Sequence, residues 1–156
     1  VGTHSIFLAR AIRPKLNYPN IIFKFEKGAQ MIDGFDHVHL ICGDAEAAGK
    51  FFETIFGGKI FFRGEMAGTP VVRMDLYGVN FFIFGAKPGH GQFEPRKDLR
   101  GLDHIGFKVK DLAKATADLK AKGARFSVEP SITPAGVKYA FIDGPDGMAI
   151  ELVERN

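Results

Sequence analysis

Residues 35–40, Phe35-Asp36-His37-Val38-His39-Leu40, return 67 positions later as Leu102-Asp103-His104-Ile105-Gly106-Phe107. Each copy reads apolar residue, Asp, His, aliphatic residue. Asp44 and Asp111 follow at the same offset, and each opens an Ala-rich stretch, 45–56 and 112–122. An Asp there can cap the free amides of a first helical turn. Both stretches stop at glycine, Gly57-Gly58 and Gly123, which suits the left-handed backbone of a helix end. A duplication of this kind means two related modules whose sheets must be covered by one another.

After each predicted helix come three strand-like runs. They are 59–63, 71–76 and 79–84 in the first half, and 124–128, 137–142 and 148–153 in the second. Turns are expected at Gly68-Thr69-Pro70, Tyr77-Gly78, 130–136 and Gly144-Pro145-Asp146-Gly147. The fold class expected is therefore α+β: two tandem βαβββ modules, at 31–84 and 101–156, joined by a Gly-, Pro- and charge-rich linker at 85–100.

Charge and composition exclude several functions. Net charge is +3, but residues 1–30 carry +4 (Arg10, Arg13, Lys15, Lys24 and Lys27 against Glu26), leaving −1 on the rest. A nucleic-acid binder would carry its basic surface on the folded body, so a small-molecule partner is expected. No apolar run is long enough to span a membrane. Cys42 is the single cysteine, which rules out an internal disulfide framework and makes a cytoplasmic location the default. Met31 reads as a natural start, with 1–30 as an extension outside it. The apolar run 6–9 is too short for a signal peptide and is followed at once by Arg10 and Arg13, which argues against one. Within the extension, 21–25 is a candidate extra strand, and no catalytic role is expected for it.

The doubled βαβββ pattern resembles the vicinal oxygen chelate superfamily, which includes glyoxalase I, methylmalonyl-CoA epimerase, ring-cleaving extradiol dioxygenases and the bleomycin and fosfomycin resistance proteins. The most specific match is Asp143-Gly144-Pro145-Asp146-Gly147-Met148-Ala149-Ile150-Glu151-Leu152, similar to the last hairpin of the family, which carries a metal-binding Glu. Asp103-His104-Ile105-Gly106-Phe107-Lys108-Val109 resembles a module's first strand, which carries a metal-binding His. The resemblance covers residues 32–154 and implies curled mixed sheets forming one cleft. One fold hosts many chemistries, so the reaction must be argued from the side chains.

By that resemblance the metal ligands are His37, His104 and Glu151, an open set suited to Fe(II) and also to Zn, Ni, Mn or Co. Glu151 interrupts Ile150 and Leu152, and a carboxylate in a sheet cleft is costly without a partner such as a metal. Four-ligand members place a Glu or Gln on the last strand of the first module. Aligning Gly78 with Gly147 puts Phe82 opposite Glu151, so this sequence departs from the glyoxalase I and epimerase patterns. The ring-cleaving enzymes also use a tyrosine; Tyr139 is the nearest candidate, with Phe141 nearer the expected place. His39 lies two positions from His37 and shares its face of a strand. It could replace His37 as ligand, act as acid/base, or sit beside it; the repeat favours His37, because Gly106 stands opposite His39. His39 and Glu65 are the general-base candidates.

Phe62, Phe82, Arg73 and Tyr139 are expected to line the substrate pocket. Arg63, Arg73 and Lys138 could meet an anionic substrate group or lie on a solvated strand face. His90 falls in the linker, His4 in the extension, and Cys42 reads as a small core residue. The leading expectation is a metal-dependent enzyme of the glyoxalase or dioxygenase type that chelates adjacent oxygens of a small substrate and stabilises an enolate or catecholate. The alternatives are a metal-free small-molecule binding protein, like the antibiotic-resistance members, and a glyoxalase I or epimerase with an incomplete ligand set. A homodimer is expected, since strand edges and one apolar face would otherwise stay exposed, and the site is either internal to the chain or shared between subunits.

Overall fold

The computed structural model describes residues 35–91 and 101–155. The candidate strand at 21–25, His4 and most of the linker lie outside the described residues. The elements run β1 (His37–Cys42), α1 (Ala45–Phe56), β2 (Lys59–Met66), β3 (Thr69–Leu76), β4 (Val79–Gly85), then β5 (His104–Val109), α2 (Leu112–Ala121), β6 (Phe126–Ile132), β7 (Lys138–Asp143) and β8 (Ala149–Glu154). The βαβββ order therefore occurs twice. Each module forms its own four-stranded sheet, β1-β4-β3-β2 and β5-β8-β7-β6. The first strand pairs parallel with the last, and the remaining pairs are antiparallel.

Both helices start where the repeated Asp predicts. The Asp44 carboxylate accepts from Ala47 N–H at 2.9 Å and that of Asp111 from Lys114 N–H at 2.9 Å. Gly57 ends α1 at φ 71°, with its amide bonded back to the last turn. Two turns differ from expectation. Thr69 and Pro70 belong to β3, so the first turn tightens to Ala67-Gly68. Strand β6 continues through Pro130 to Ile132. It is an edge strand, where a missing N–H costs no ladder bond, and its register shifts between Val128 and Ser131.

Alternation sorts each strand into two faces. Leu40, Cys42, Val72, Met74, Leu76, Phe81 and Ile83 turn toward α1 and are buried; Ala140, Ile142, Ile150 and Leu152 do the same in the second module. These residues join one common cluster, and the junction is aromatic: Phe56 of α1 stacks on Phe107 of β5 at 4.7 Å, with Tyr77 at 5.9 Å. The modules are also tied by Asp146, whose carboxylate accepts from Gly43 N–H at 2.8 Å. Burial, with the Asp146 charge beside it, pushes the Cys42 thiol up to about 12. Cys42 is thus a core thiol, as its sequence setting suggested. No helix among the described residues is long and apolar enough to cross a membrane.

One glycine reports how closely α1 is seated. A Cβ on Gly49, in mid-helix, would lie 2.7 Å from Val72 Cγ1. Gly49→Ala should raise helix propensity by about 1 kcal/mol, yet the overpacking costs about 1–3 kcal/mol. The variant is therefore expected to unfold at lower urea concentration than the parent. A higher midpoint would mean that α1 is not pinned to β3.

Candidate metal and substrate site

The face of each sheet opposite its helix carries the imidazoles and the carboxylate expected as ligands. On the second sheet, His104 begins β5 and Glu151 sits in mid-β8. Glu151 is registered against Gly106 and Phe141. A Cβ on Gly106 would stand 3.3 Å from Glu151 Oε2, so the glycine leaves the room into which the carboxylate leans. The carboxylate leans toward His104, with Nε2 and Oε2 3.4 Å apart. The other ring nitrogen, Nδ1, donates to Asp103 Oδ2 at 2.7 Å. That bond holds the ring with Nε2 turned toward Glu151.

This pair fits a divalent ion. Two ligand atoms each about 2.1 Å from a cation and this far apart subtend roughly 110° at it, within the range of tetrahedral coordination. A neutral imidazole and a carboxylate also form a donor set suited to borderline cations. Phe141 meets the His104 ring edge-on at 5.2 Å, and Tyr139 lies a ring further along, 6.0 Å from Phe141. The place beside the His-Glu pair therefore belongs to a residue without a hydroxyl.

The first sheet repeats half of this arrangement. His37 Nδ1 is held by Asp36 Oδ1 at 2.5 Å, the counterpart of the Asp103 bond. His39 is registered against Phe82 just as Gly106 is against Glu151, so Phe82 occupies the place of the acid. The rings of His37 and His39 pack on Phe82 at 4.5 Å and on Phe84 at 4.4 Å. Arg73, paired with Phe82 across the sheet, lies over that ring at 4.2 Å. Phe62 pairs with Arg73 from β2 and stays partly exposed.

Among the described residues, no three His, Cys, Asp or Glu side chains form a group that could hold a metal ion. The structure thus brings His104 to Glu151 but does not bring His37 to them within one chain. The reason lies in the packing: the two sheets share a core through their helix-bearing sides, while the faces bearing the imidazoles stay accessible. Glu65 is not brought to this region either. It lies on edge strand β2, three strands from β1, and pairs with Pro70 on the face opposite Arg73. His90 accepts from Lys87 N–H at 3.0 Å within its own turn. An apolar cavity of about 900 Å³ is at the junction beside Phe56, Tyr77 and Phe107 and touches none of His37, His104 and Glu151. It carries no convergent ligating groups.

Asp36, Asp103 and Gly106 escaped attention as site residues in the sequence. The signal was present: the Asp-His pair occurs in both repeats, and Gly106 is the small residue facing Glu151.

Residues 34–152 match the Glyoxalase/Bleomycin resistance protein/Dioxygenase superfamily. The chain belongs to this superfamily. An Arabidopsis thaliana protein named "Probable lactoylglutathione lyase, chloroplastic" is 30% identical over 128 residues, which are 76% of this chain and 35% of that protein. The chain thus spans about a third of that relative's length. The Bacillus subtilis protein YwkD is 26% identical over 132 residues, 80% of this chain and 99% of its own. Among solved superfamily structures, a glyoxalase family protein from Enterococcus faecalis aligns with TM-score 0.69 at 20% identity, covering 80% of this chain and all (100%) of that one. A mutant of the fosfomycin resistance protein FosX from Listeria monocytogenes, complexed with Mn(II) and 1S,2S-dihydroxypropylphosphonic acid, aligns with TM-score 0.59 at 20% identity, covering 79% and 90% respectively. These two likenesses establish the superfamily fold.

On the helix-bearing side of the second sheet, Glu154 ends β8 and closes the start of α2. Its carboxylate accepts from Leu112 N–H at 2.7 Å and pairs with Lys138 Nζ at 2.6 Å. The Lys138 bond, then the amide bond, hold the Glu154 carboxyl below its usual range. Its stabilising contribution is therefore complete above the ordinary carboxylate range and is lost as pH falls through the lowered value. Glu154→Gln is expected to flatten the acid side of the stability profile. Urea midpoints measured between about pH 5 and pH 2 check it; parallel profiles for the two proteins would contradict it.

Proposed function

We propose that this protein is a metal-dependent enzyme of the vicinal oxygen chelate type. Its ligands are His104 and Glu151 of one chain and His37 of the partner subunit. The observation that carries the reading is the His104–Glu151 approach at 3.4 Å, with the Asp103 bond setting the tautomer. The matching Asp36–His37 pair prepares a second imidazole in the same way. The Mn(II) in the FosX complex supports a divalent ion in this fold, and Fe, Zn, Ni, Mn and Co all suit the donors. When bound, the ion supplies Lewis-acid chelation of two neighbouring substrate oxygens.

The chain's own residues do the rest. Phe82 and Phe62 give the cleft an apolar wall that excludes water, and Tyr139 with Phe141 flanks the His-Glu pair. His39 shares the face of His37 and is the side chain available to move a proton. A homodimer supplies the missing ligand and covers Ile41 and Phe61, which are 56% and 53% exposed in the single chain.

Metal analysis of the purified protein after incubation with Fe(II), Ni(II) or Zn(II), followed by a catechol or a methylglyoxal–thiol adduct, tests the reading. Uptake of an ion and turnover of either compound are expected; no uptake at neutral pH would sink it. A second reading, a metal-free protein that sequesters a small apolar molecule, draws on the absence of a three-ligand group among the described residues. Under it, Glu151→Gln leaves ligand binding intact.

A further inference from the structure

We propose that Arg73 binds an oxyanion of the substrate: the open face of the first sheet receives a carboxylate or phosphate-type group. This rests on the reading that this face is one wall of the cleft, and deepens it by naming a substrate class. Four side chains form a ladder across the sheet in strand order. His37 of β1 packs on Phe82 of β4 at 4.5 Å, Arg73 of β3 lies over Phe82 at 4.2 Å, and Phe61 of β2 closes on Arg73 at 5.1 Å. The guanidinium therefore rests against two aromatic rings, which stabilise its charge and fix its plane.

Its hydrogen-bonding edge is unanswered. Arg73 Nε is buried with no acceptor among the described residues. Among the described residues no ion pair involves Arg73, although Asp75 lies two positions away on the same face. The other two cations considered from the sequence are committed: Arg63 to Glu46 at 2.8 Å and Lys138 to Glu154 at 2.6 Å. A guanidinium that is stacked but not hydrogen-bonded presents a planar fork of donors, the geometry that matches an oxyanion bidentately. Comparison of the two sheets agrees. The position registered against Glu151 in the second sheet is Phe141, and its counterpart registered against Phe82 is Arg73. The first sheet thus carries Phe82 in place of the acid and a cation where the second sheet has Phe141, so the two faces present opposite charges to one ligand.

The test uses the full chain in the presence of EDTA, so that it stands apart from metal binding. The arginine Nε–H resonances of ¹⁵N-labelled protein are followed during titration with benzoate, phenylphosphonate and neutral benzamide. The Arg73 signal, identified by its loss in Arg73→Lys, is expected to shift saturably with either anion and not with benzamide. A preference for benzoate or for phenylphosphonate names the group, and both support the assignment. Arg73→Lys should weaken anion binding about tenfold, since a point charge replaces the fork, and Arg73→Met should abolish it. Three outcomes overturn the proposal: equal binding of benzamide, undiminished anion binding in folded Arg73→Met, or no shift with either anion at tens of millimolar. If Arg73→Met fails to fold, the parent resonance and the Lys variant still decide. Failure here leaves metal uptake by His104 and Glu151 standing, because Arg73 is not a ligand.

Discussion

Glu151→Gln is expected to abolish metal uptake while leaving the fold intact. The substitution keeps the shape of the side chain and removes the charge that a divalent ion needs. In the structure this carboxylate faces His104 Nε2 and occupies space that Gly106 leaves open. Side chains that only orient a ligand cost about 10–100-fold in metal affinity when changed. Asp103→Asn should fall in that range, because it loosens the His104 ring without removing a ligand. Loss of a ligand itself should exceed it, so Glu151→Gln is expected to weaken binding by more than about a hundredfold. Equilibrium dialysis with Zn(II) or Ni(II) across the parent and both variants checks the ranking. Metal retained by Glu151→Gln would transfer the argument to the metal-free binding protein.

Mixing two inactive proteins is expected to restore metal binding. His37→Ala and Glu151→Gln each break every site in their own homodimers. If His37 of the partner subunit completes each site, a heterodimer of the two variants holds one intact site and one doubly broken one. Random reassortment then returns roughly a quarter of the parent's metal content. A site internal to one chain predicts no recovery at all. The prediction follows from the packing. The helix-bearing sides of the sheets are spent on one shared core, and among the described residues no third ligand joins His104 and Glu151 within the chain; on the proposed reading the partner subunit supplies it. Metal content measured after unfolding and co-refolding an equal mixture separates the two cases.

Much of this molecule could be read before it was seen, because its information is local and doubled. The two Asp caps sit at one offset, and each determines where a helix begins through a bond to an amide three residues on. The alternation Ile150-Glu151-Leu152 already placed one acid on the face opposite two core residues, and aligning Gly78 with Gly147 identified Phe82 as the counterpart of Glu151. What escaped was non-local. Strand β6 runs past Pro130 because it lies at a sheet edge, a fact that depends on its neighbours. Gly106 gains meaning only once the parallel pairing of β5 with β8 sets it beside Glu151. Arg63, Arg73 and Lys138 look alike as strand cations; only the fold commits two of them to acids and leaves the third between aromatic rings. Nor does periodicity reveal which faces of two sheets meet, and that choice decides whether a single chain can assemble the site.

The proposed function stands on two imidazoles and one carboxylate sharing a cation. A crystal structure of the Ni(II)-loaded protein, read by anomalous scattering, decides it. One strong peak per chain is expected, bonded by His104 Nε2, Glu151 and His37 of the partner subunit. A peak bound elsewhere, or none on this face, would contradict it.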